Sequence, residues 1–153
     1  MAQVTINLAQ EPLLVDDAPL SWQETSLAAL TLEHTLHASV DAYLEANPGK
    51  VVGEVVSPGA EAVASGAPKS PDARAEFTAR VLSAEYRTSQ LTGQRFIHVS
   101  VDAAFPFDVC LPDGELPERN SVIAGTAVMV GSIPTPQGGD CGGCGGSCGC
   151  GGH

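Results

Sequence analysis

Residues 76–101 read Glu-Phe-Thr-Ala-Arg-Val-Leu-Ser-Ala-Glu-Tyr-Arg-Thr-Ser-Gln-Leu-Thr-Gly-Gln-Arg-Phe-Ile-His-Val-Ser-Val. Apolar and polar side chains alternate in both halves, a pattern typical of half-buried β-strands. The halves are separated by residues 88–93, which are rich in Thr, Ser and Gly and predict a turn. The stretch therefore predicts a β-hairpin of two strands, residues 76–86 and 96–101.

The chain after this hairpin continues the β pattern. Residues 105–111 predict a third strand interrupted by Pro106, residues 112–114 a turn, and residues 122–133 a last strand. Gly125 and Gly131 lie inside that last strand, and glycines at such positions indicate bulges or tight bends. Several short strands with frequent turns are typical of a small barrel or a curved sheet.

The chain before the hairpin predicts a mixture of elements. Residues 3–8 and 50–56 predict strands, whereas residues 57–75, rich in Pro, Gly, Ala and Ser, predict a mobile loop without an element of its own. Residues 22–46 predict one long helix, which a Ser21–Glu24 capping box begins and Asn47-Pro48-Gly49 ends. Its apolar stripe consists of Leu32, Leu36, Val40, Tyr43 and Leu44.

These elements together predict an α+β fold. We expect residues 1–134 to form one domain, a small β-barrel or curved antiparallel sheet of OB-like type with the N-terminal helix packed on it. A β-sandwich with one helix is the alternative. Residues 135–153 are expected to form a separate, flexible C-terminal tail.

Composition narrows the class of partner. The chain has 7 Lys and Arg against 18 Asp and Glu, a net charge of −11. A chain this acidic repels phosphate backbones and has no basic patch, so we expect no nucleic-acid binding. The sequence also has no signal peptide and no transmembrane run, which predicts a cytoplasmic protein without membrane insertion and with reduced thiols.

The last thirteen residues carry the clearest functional signal. They read Cys-Gly-Gly-Cys-Gly-Gly-Ser-Cys-Gly-Cys-Gly-Gly-His and contain four of the five cysteines. Thiolate and imidazole are ligands for zinc, nickel, Cu(I) or iron–sulfur centres, and the glycines between them allow the ligands to turn toward one ion. The predicted metal ligands are Cys141, Cys144, Cys148, Cys150 and His153.

The C-x2-C-x3-C-x-C-x2-H pattern resembles the Cys/Gly/His-rich C-terminus of the SlyD-type nickel metallochaperones. The resemblance covers residues 141–153 only, and residues 1–138 lack the isomerase pattern of that family. It implies nickel as a candidate metal and does not imply isomerase activity. Zinc or nickel is therefore expected, delivered to a client metalloprotein or to a subunit of a complex.

Three other interpretations of the tail remain open. It can be a low-complexity solvated segment, or part of a non-catalytic adaptor or assembly subunit whose tail orders on a partner. It can also belong to a precursor whose Cys and Ser residues are modified, by analogy with azole-containing microcins. A disulfide framework is disfavoured in a reducing compartment.

Two further constellations are weaker candidates. His34 and His37 are three apart, a spacing that grips a metal when both lie on one helix, although surface histidines at this spacing are common. Cys110 could act as a nucleophile only with a nearby base, and His98 is the candidate base. A lone Cys in a strand is more often a small buried hydrophobic residue. No nucleophile elbow, P-loop, dinucleotide fingerprint or H-E-x-x-H motif is present, so the sequence does not indicate an enzyme.

Overall fold

The structure is a computed structural model that describes residues 2–9, 24–66 and 72–133. In chain order its elements are β1 (Asn7–Leu8), β2 (Ser26–His37), α1 (Val40–Ala46), β3 (Val55–Val56), α2 (Pro58–Ala64), β4 (Arg74–Thr88), β5 (Arg95–Asp102), β6 (Pro106–Pro112) and β7 (Val122–Ser132). The described part of the chain is thus mainly β, with two short helices. Neither of these helices has the length and apolar character needed to cross a bilayer.

The five long strands close into a ring. β7 pairs with β2 on one side and with β4 on the other, and the ring continues from β2 to β6, from β6 to β5 and from β5 back to β4. All of these pairs are antiparallel except β2–β6, which is parallel. β1 and β3 add short pairs to β7 and β4.

Closure of the ring depends on β4, which changes partner along its length. Residues 74–80 pair with β7, whereas residues 80–88 pair with β5. The register with β5 shifts between Val81 and Ser83, which marks a bulge at the changeover. Bulges bend a strand and increase its twist, so one strand can serve both halves of the ring.

The interior of the ring is filled by alternate residues of its strands. The buried apolar cluster includes Phe77, Ala79, Val81, Ile97, Val99, Val101, Val109 and Leu111. The Phe77 and Phe107 rings meet edge to face with centroids 5.8 Å apart. The alternation read from the sequence of β4 and β5 is confirmed, and the strands predicted at residues 105–111 and 122–133 are present as β6 and β7.

The predicted long helix over residues 22–46 is wrong. Residues 26–37 form β2, which pairs with β7 from Ser26 to His37, and only Val40–Ala46 is helical. Leu32 and Leu36, which the helical stripe placed on a buried face, are 53% and 42% exposed. Helical periodicity over a dozen residues is a weak local preference, and pairing with a complete partner strand overrides it.

The true start of the helix is Ser39, whose Oγ accepts a hydrogen bond from the amide of Ala42 at 3.1 Å. The helix ends before Asn47, as Asn-Pro-Gly predicted. Ser21 of the predicted capping box lies outside the described residues, and Glu24 is not helical. The buried residue of α1 is Tyr43, which anchors the helix on the outside of the sheet.

Two other predictions are corrected by the structure. The predicted strand over residues 50–56 is reduced to Val55–Val56, because Gly53, with a φ of 96°, turns the chain just before it. The prediction that residues 57–75 hold no element is wrong, because α2 lies in this stretch; Ser57 caps that helix and Pro58 occupies its first turn. Residues 67–71 lie outside the described part of the chain.

Candidate functional site

The five predicted metal ligands lie in residues 134–153, outside the described part of the chain. The last described strand, β7, ends at Ser132, which pairs with Ser26 at the beginning of β2. The last described residues therefore lie at the end of the ring where β2 begins. Cys141, Cys144, Cys148, Cys150 and His153 remain a prediction from the sequence.

A β-bulge shapes the outer surface of the ring between β2 and β7. Thr31 pairs with Ala127 and Glu33 with Thr126, so Leu32 is the extra residue. Next to it, a Cβ at Gly125 would overlap the carbonyl oxygen of Glu33 and lie 2.8 Å from the Cα of His34. The close approach of the two strands at the bulge therefore requires glycine at position 125.

An open groove of about 530 Å³ lies beside this bulge. Its floor consists of two rows that cross β2, β7 and β4, and each row contains one residue from each strand. The first row is Glu33, Thr126 and Glu76, and the second is Thr35, Ala124 and Thr78. Tyr43 of α1 forms part of the wall, and its hydroxyl lies 3.4 Å from the Thr78 hydroxyl.

The groove is rich in carboxylates. Glu33, Glu54 and Glu76 line it together with a single Lys50. Carboxylate and hydroxyl oxygens accept hydrogen bonds and favour ligands that carry donors or positive charge. Across the described ranges, however, no three His, Cys, Asp or Glu side chains are placed to hold one metal ion.

His34 and His37 lie on a strand and not on the predicted helix. Alternate residues of a strand face opposite sides, so a spacing of three separates the two side chains instead of bringing them together. His34 pairs with Gly125 in the row between the two floor rows, whereas His37 lies on the face of Tyr43, whose ring it meets edge-on at 5.0 Å. The helical face on which a shared metal site at these two residues would depend is therefore absent.

A second polar cluster lies on the outer face of β4, β5 and β6. His98 is paired in register with Glu85 on one side and with Cys110 on the other. Its Nδ1 lies 3.6 Å from Glu85 Oε1 and its Nε2 lies 3.4 Å from Asp108 Oδ2. The other oxygen of Asp108 accepts a hydrogen bond from Ser100 Oγ at 3.2 Å. We call His98, Glu85 and Asp108 the His98 cluster.

The structure does bring Cys110 and His98 side by side, as a thiol–imidazole pair would require. Burial, and to a smaller extent the charge of Asp108, raises the pKa of the Cys110 thiol above its ordinary value. A nucleophilic cysteine needs the opposite shift, because the thiolate is the reactive form. The raised pKa thus favours the interpretation of Cys110 as a structural, half-buried residue.

Sequence reasoning missed the carboxylates of the His98 cluster. The signal was the register of the β5–β6 hairpin, in which Asp102 pairs with Pro106 and Ser100 with Asp108. From the short β5–β6 connection, the antiparallel register places His98 of β5 opposite Cys110 of β6 and therefore close to Asp108. The pairing of Glu85 with His98 depends on the bulge between Val81 and Ser83, which shifts the register of β4 against β5. This pair could therefore not be predicted from residue spacing.

Comparison with known proteins gives no family assignment: no family model, no curated protein and no solved structure matches this chain.

Proposed function

We propose that this protein carries or buffers a soft transition metal, zinc or nickel, through Cys141, Cys144, Cys148, Cys150 and His153. The observation that carries the proposal is the placement of four thiols and an imidazole within thirteen residues that contain no apolar side chain. Thiolate and imidazole are the ligands that these metals prefer. Such ligands stay available in a reducing compartment, and we propose a cytoplasmic location.

The closure of the ring within the described residues supports this division of roles. Within the described residues, the five strands close into a ring between Ser26 and Ser132. The tail can then bind and release metal without opening the strands. A carrier needs this separation, since its folded part must stay intact while the metal is exchanged.

The energetics of the tail favour exchange over permanent binding. Ordering a glycine-rich segment costs roughly 1–2 kcal/mol per residue. A structural zinc site returns about 10–16 kcal/mol, a gain similar to the cost of ordering thirteen residues. The net affinity is therefore moderate, which suits a carrier or buffer that passes its metal to a client metalloprotein or complex.

We also propose that the ring is an OB-like barrel that docks on the client. Five closed strands with one parallel pair, β2–β6, support this, as does the three-strand meander formed by β4, β5 and β6. In the OB-fold the meander comes first, whereas here β2 precedes it. The OB-like interpretation of the ring therefore treats β2 as the strand that follows the meander in an OB-fold.

The test is metal stoichiometry measured by native mass spectrometry. Reduced full-length protein should bind about one Zn(II) or Ni(II) per chain, and a variant that ends at Gly139 should bind none. Equal metal content in the two proteins would refute the tail as the binding site. Intact mass from the native host distinguishes the modified precursor, because each azole removes one water and two hydrogens.

An adaptor function is the second candidate, and one feature of β2 favours it. In the described part of the chain, β6 pairs with residues 28–30 of β2, whereas residues 31–37 pair with β7 alone. Leu32 and Leu36 are exposed along that segment. An open strand edge of this kind can accept a strand from a partner. A protein that assembles with its partner equally well with and without metal would favour the adaptor.

A further inference from the structure

One edge of β2 is unpaired beside the groove. β7 pairs with β2 along its length, whereas β6 pairs only with residues 28–30, and no described strand covers the same edge of residues 31–37. After the bulge at Leu32, residues 33–37 keep an unbroken register with residues 122–126 of β7. Within the described ranges, these five residues therefore form a regular strand with one open side.

An open strand edge is a template for a further strand. Alternate residues of a strand direct their backbone N–H and C=O groups to opposite edges, so roughly half of these groups in residues 33–37 face away from β7. Natural proteins usually protect such an edge with lysine, proline or a covering element. Residues 33–37 read Glu-His-Thr-Leu-His, without lysine or proline, and Glu33, Thr35 and Leu36 are exposed. The edge is therefore accessible to a strand of another chain.

A strand added at this edge would place a side chain over the groove. Paired residues of neighbouring strands project from the same face of a sheet, so the residue opposite Glu33 shares the outer face with Glu33, Thr126 and Glu76. Neighbouring strands are about 4.8 Å apart, so the backbones of Glu33 and Glu76 are about 10 Å apart across β7. A long side chain that extends from the added strand toward Thr126 therefore lies between two glutamates.

The charges around the groove favour a basic side chain there. Glu33, Glu54 and Glu76 line the groove against a single Lys50. In the part of the chain that the structure describes, none of these four residues takes part in an ion pair, and the paired arginines lie elsewhere, at Arg74, Arg80, Arg87 and Arg95. The net charge of −11 also attracts cationic partners and repels acidic ones. Charge complementarity of this kind determines which strand an edge accepts.

We propose that residues 33–37 of β2 accept an extended basic segment of a partner protein as an additional strand, with one arginine or lysine of that segment held in the groove between Glu33 and Glu76. Backbone pairing supplies the part of the binding that is independent of sequence, and the groove selects the basic side chain. The inference rests on the adaptor candidate and names the chemistry of its partner. It does not require metal binding by the tail.

A second copy of this chain fits the edge less well than a basic segment does. Antiparallel pairing of two β2 edges about His34 would place Glu33 opposite Thr35 of the copy, so neither glutamate would gain a basic neighbour. Each copy carries a charge of −11, and the two would repel each other. A five-residue edge is only about 17 Å long and offers few contacts against this repulsion.

The experiment titrates isotope-labelled, reduced full-length protein with synthetic peptides and follows the backbone amides by NMR, which detects millimolar binding. The probe is Thr-Val-Thr-Arg-Thr-Val-Thr, and it should shift the amides of residues 31–37 and of Thr126. A peptide with Glu in place of Arg should bind at least tenfold more weakly, because like charges would then meet in the groove. An Arg peptide with N-methylated amides, which cannot donate to β2, should also lose binding.

Protein variants test the groove separately from the edge. Glu33→Gln and Glu76→Gln should each weaken binding of the Arg peptide about two- to fivefold, the range of exposed ion pairs. Neither change should alter binding of a peptide with Gln in place of Arg. Glu24→Gln is the matched control, because Glu24 is an exposed carboxylate beyond the opposite end of β2, and it should leave the affinity unchanged. Thermal midpoints check that each variant is folded.

Several results would overturn the proposal. These are no binding of the Arg peptide at millimolar concentration, equal binding of the Arg and Glu peptides, and shifts confined to amides outside residues 31–37 and the groove. Loss of the signals of residues 33–37 as the protein alone is concentrated would identify a second copy as the occupant and would also overturn it. Any of these results, obtained with an intact metal stoichiometry, leaves the carrier function standing. Peptide binding that persists with a chelator while the tail binds no metal would instead refute the carrier and support the basic partner.

Discussion

Gly125 is where β7 approaches β2 most closely, and Gly125→Ala tests the bulge beside the groove. The added Cβ would overlap the carbonyl oxygen of Glu33 and lie 2.8 Å from the Cα of His34. Carbon atoms in contact are normally about 3.5–4.0 Å apart, so the strands must separate by roughly 1 Å. Both obstructing atoms belong to the backbone, so no rotation of a side chain can relieve the overlap.

The expected loss of stability follows from two terms. Overpacking of a closely fitted site costs about 1–3 kcal/mol, and the loss of about one backbone hydrogen bond between β2 and β7 adds about 1 kcal/mol. The sum is about 2–4 kcal/mol. At about 4 °C per kcal/mol for a chain of this size, the thermal midpoint should fall by roughly 8–16 °C.

The assay is thermal unfolding followed by circular dichroism, with Gly114→Ala as the matched control. The atom nearest to a Cβ at Gly114 is the Pro112 carbonyl oxygen at 4.0 Å, an ordinary contact. The control should stay within about 2 °C of the wild type, as surface substitutions usually do. If Gly125→Ala also stays within 2 °C, β2 does not approach β7 as described, and the account of the groove fails.

Three other perturbations test separate parts of the structure. Tyr43→Ala should lower the free energy of unfolding by about 3–5 kcal/mol because the Tyr43 side chain is only 5% exposed. Leu44→Ala, at a position that is 39% exposed, should lower it by less than about 1 kcal/mol. Urea unfolding measures both losses, and equal losses would contradict the packing of α1. Burial raises the pKa of the Cys110 thiol, so a smaller fraction of Cys110 than of the tail cysteines should be thiolate at pH 7. Cys110 should therefore react more slowly with iodoacetamide than the tail cysteines, and its reaction rate should increase at higher pH. Peptide mass spectrometry measures the labelling rate of each cysteine. If Cys110 is labelled as fast as the tail cysteines at pH 7, the predicted protection of Cys110 is refuted. Ending the metal-free chain at Gly139 should leave its thermal midpoint within about 2 °C, since ring closure uses residues 26–132, and a loss of several degrees would show that the tail packs on the ring.

The β-rich second half was predictable because its signal is local. β5 alternates strictly, and in β4 the buried apolar residues Ala75, Phe77, Ala79 and Val81 alternate up to the bulge; a short turn joins the two strands. Alternation specifies both the strand and the face that is buried, since neighbouring side chains of a strand point to opposite sides. The predicted metal ligands in residues 141–153 could also be recognised locally, because the residue types and their clustering indicate metal binding without knowledge of the fold.

The identity of β2 could not be obtained in this way. Residues 26–37 have a leucine spacing compatible with a helix, and the alternative became favourable only through β7, about ninety residues later in the chain. A partner so distant leaves no trace in a local window. The error then placed His34 and His37 on one face of a helix, whereas in the structure both lie on a strand, where a spacing of three does not bring side chains to one face.

Sequence by itself determined the strands of the second half, the end of α1 at Asn47 and the clustering of soft ligands in the tail. Tertiary structure alone decided the closure of the ring through the two partners of β4, the groove at Gly125 and the meeting of His98 with Glu85 and Asp108. The physical reason is the range of the interactions. Side-chain alternation and ligand chemistry belong to neighbouring residues, whereas strand pairing joins distant segments, and its register sets which polar side chains meet.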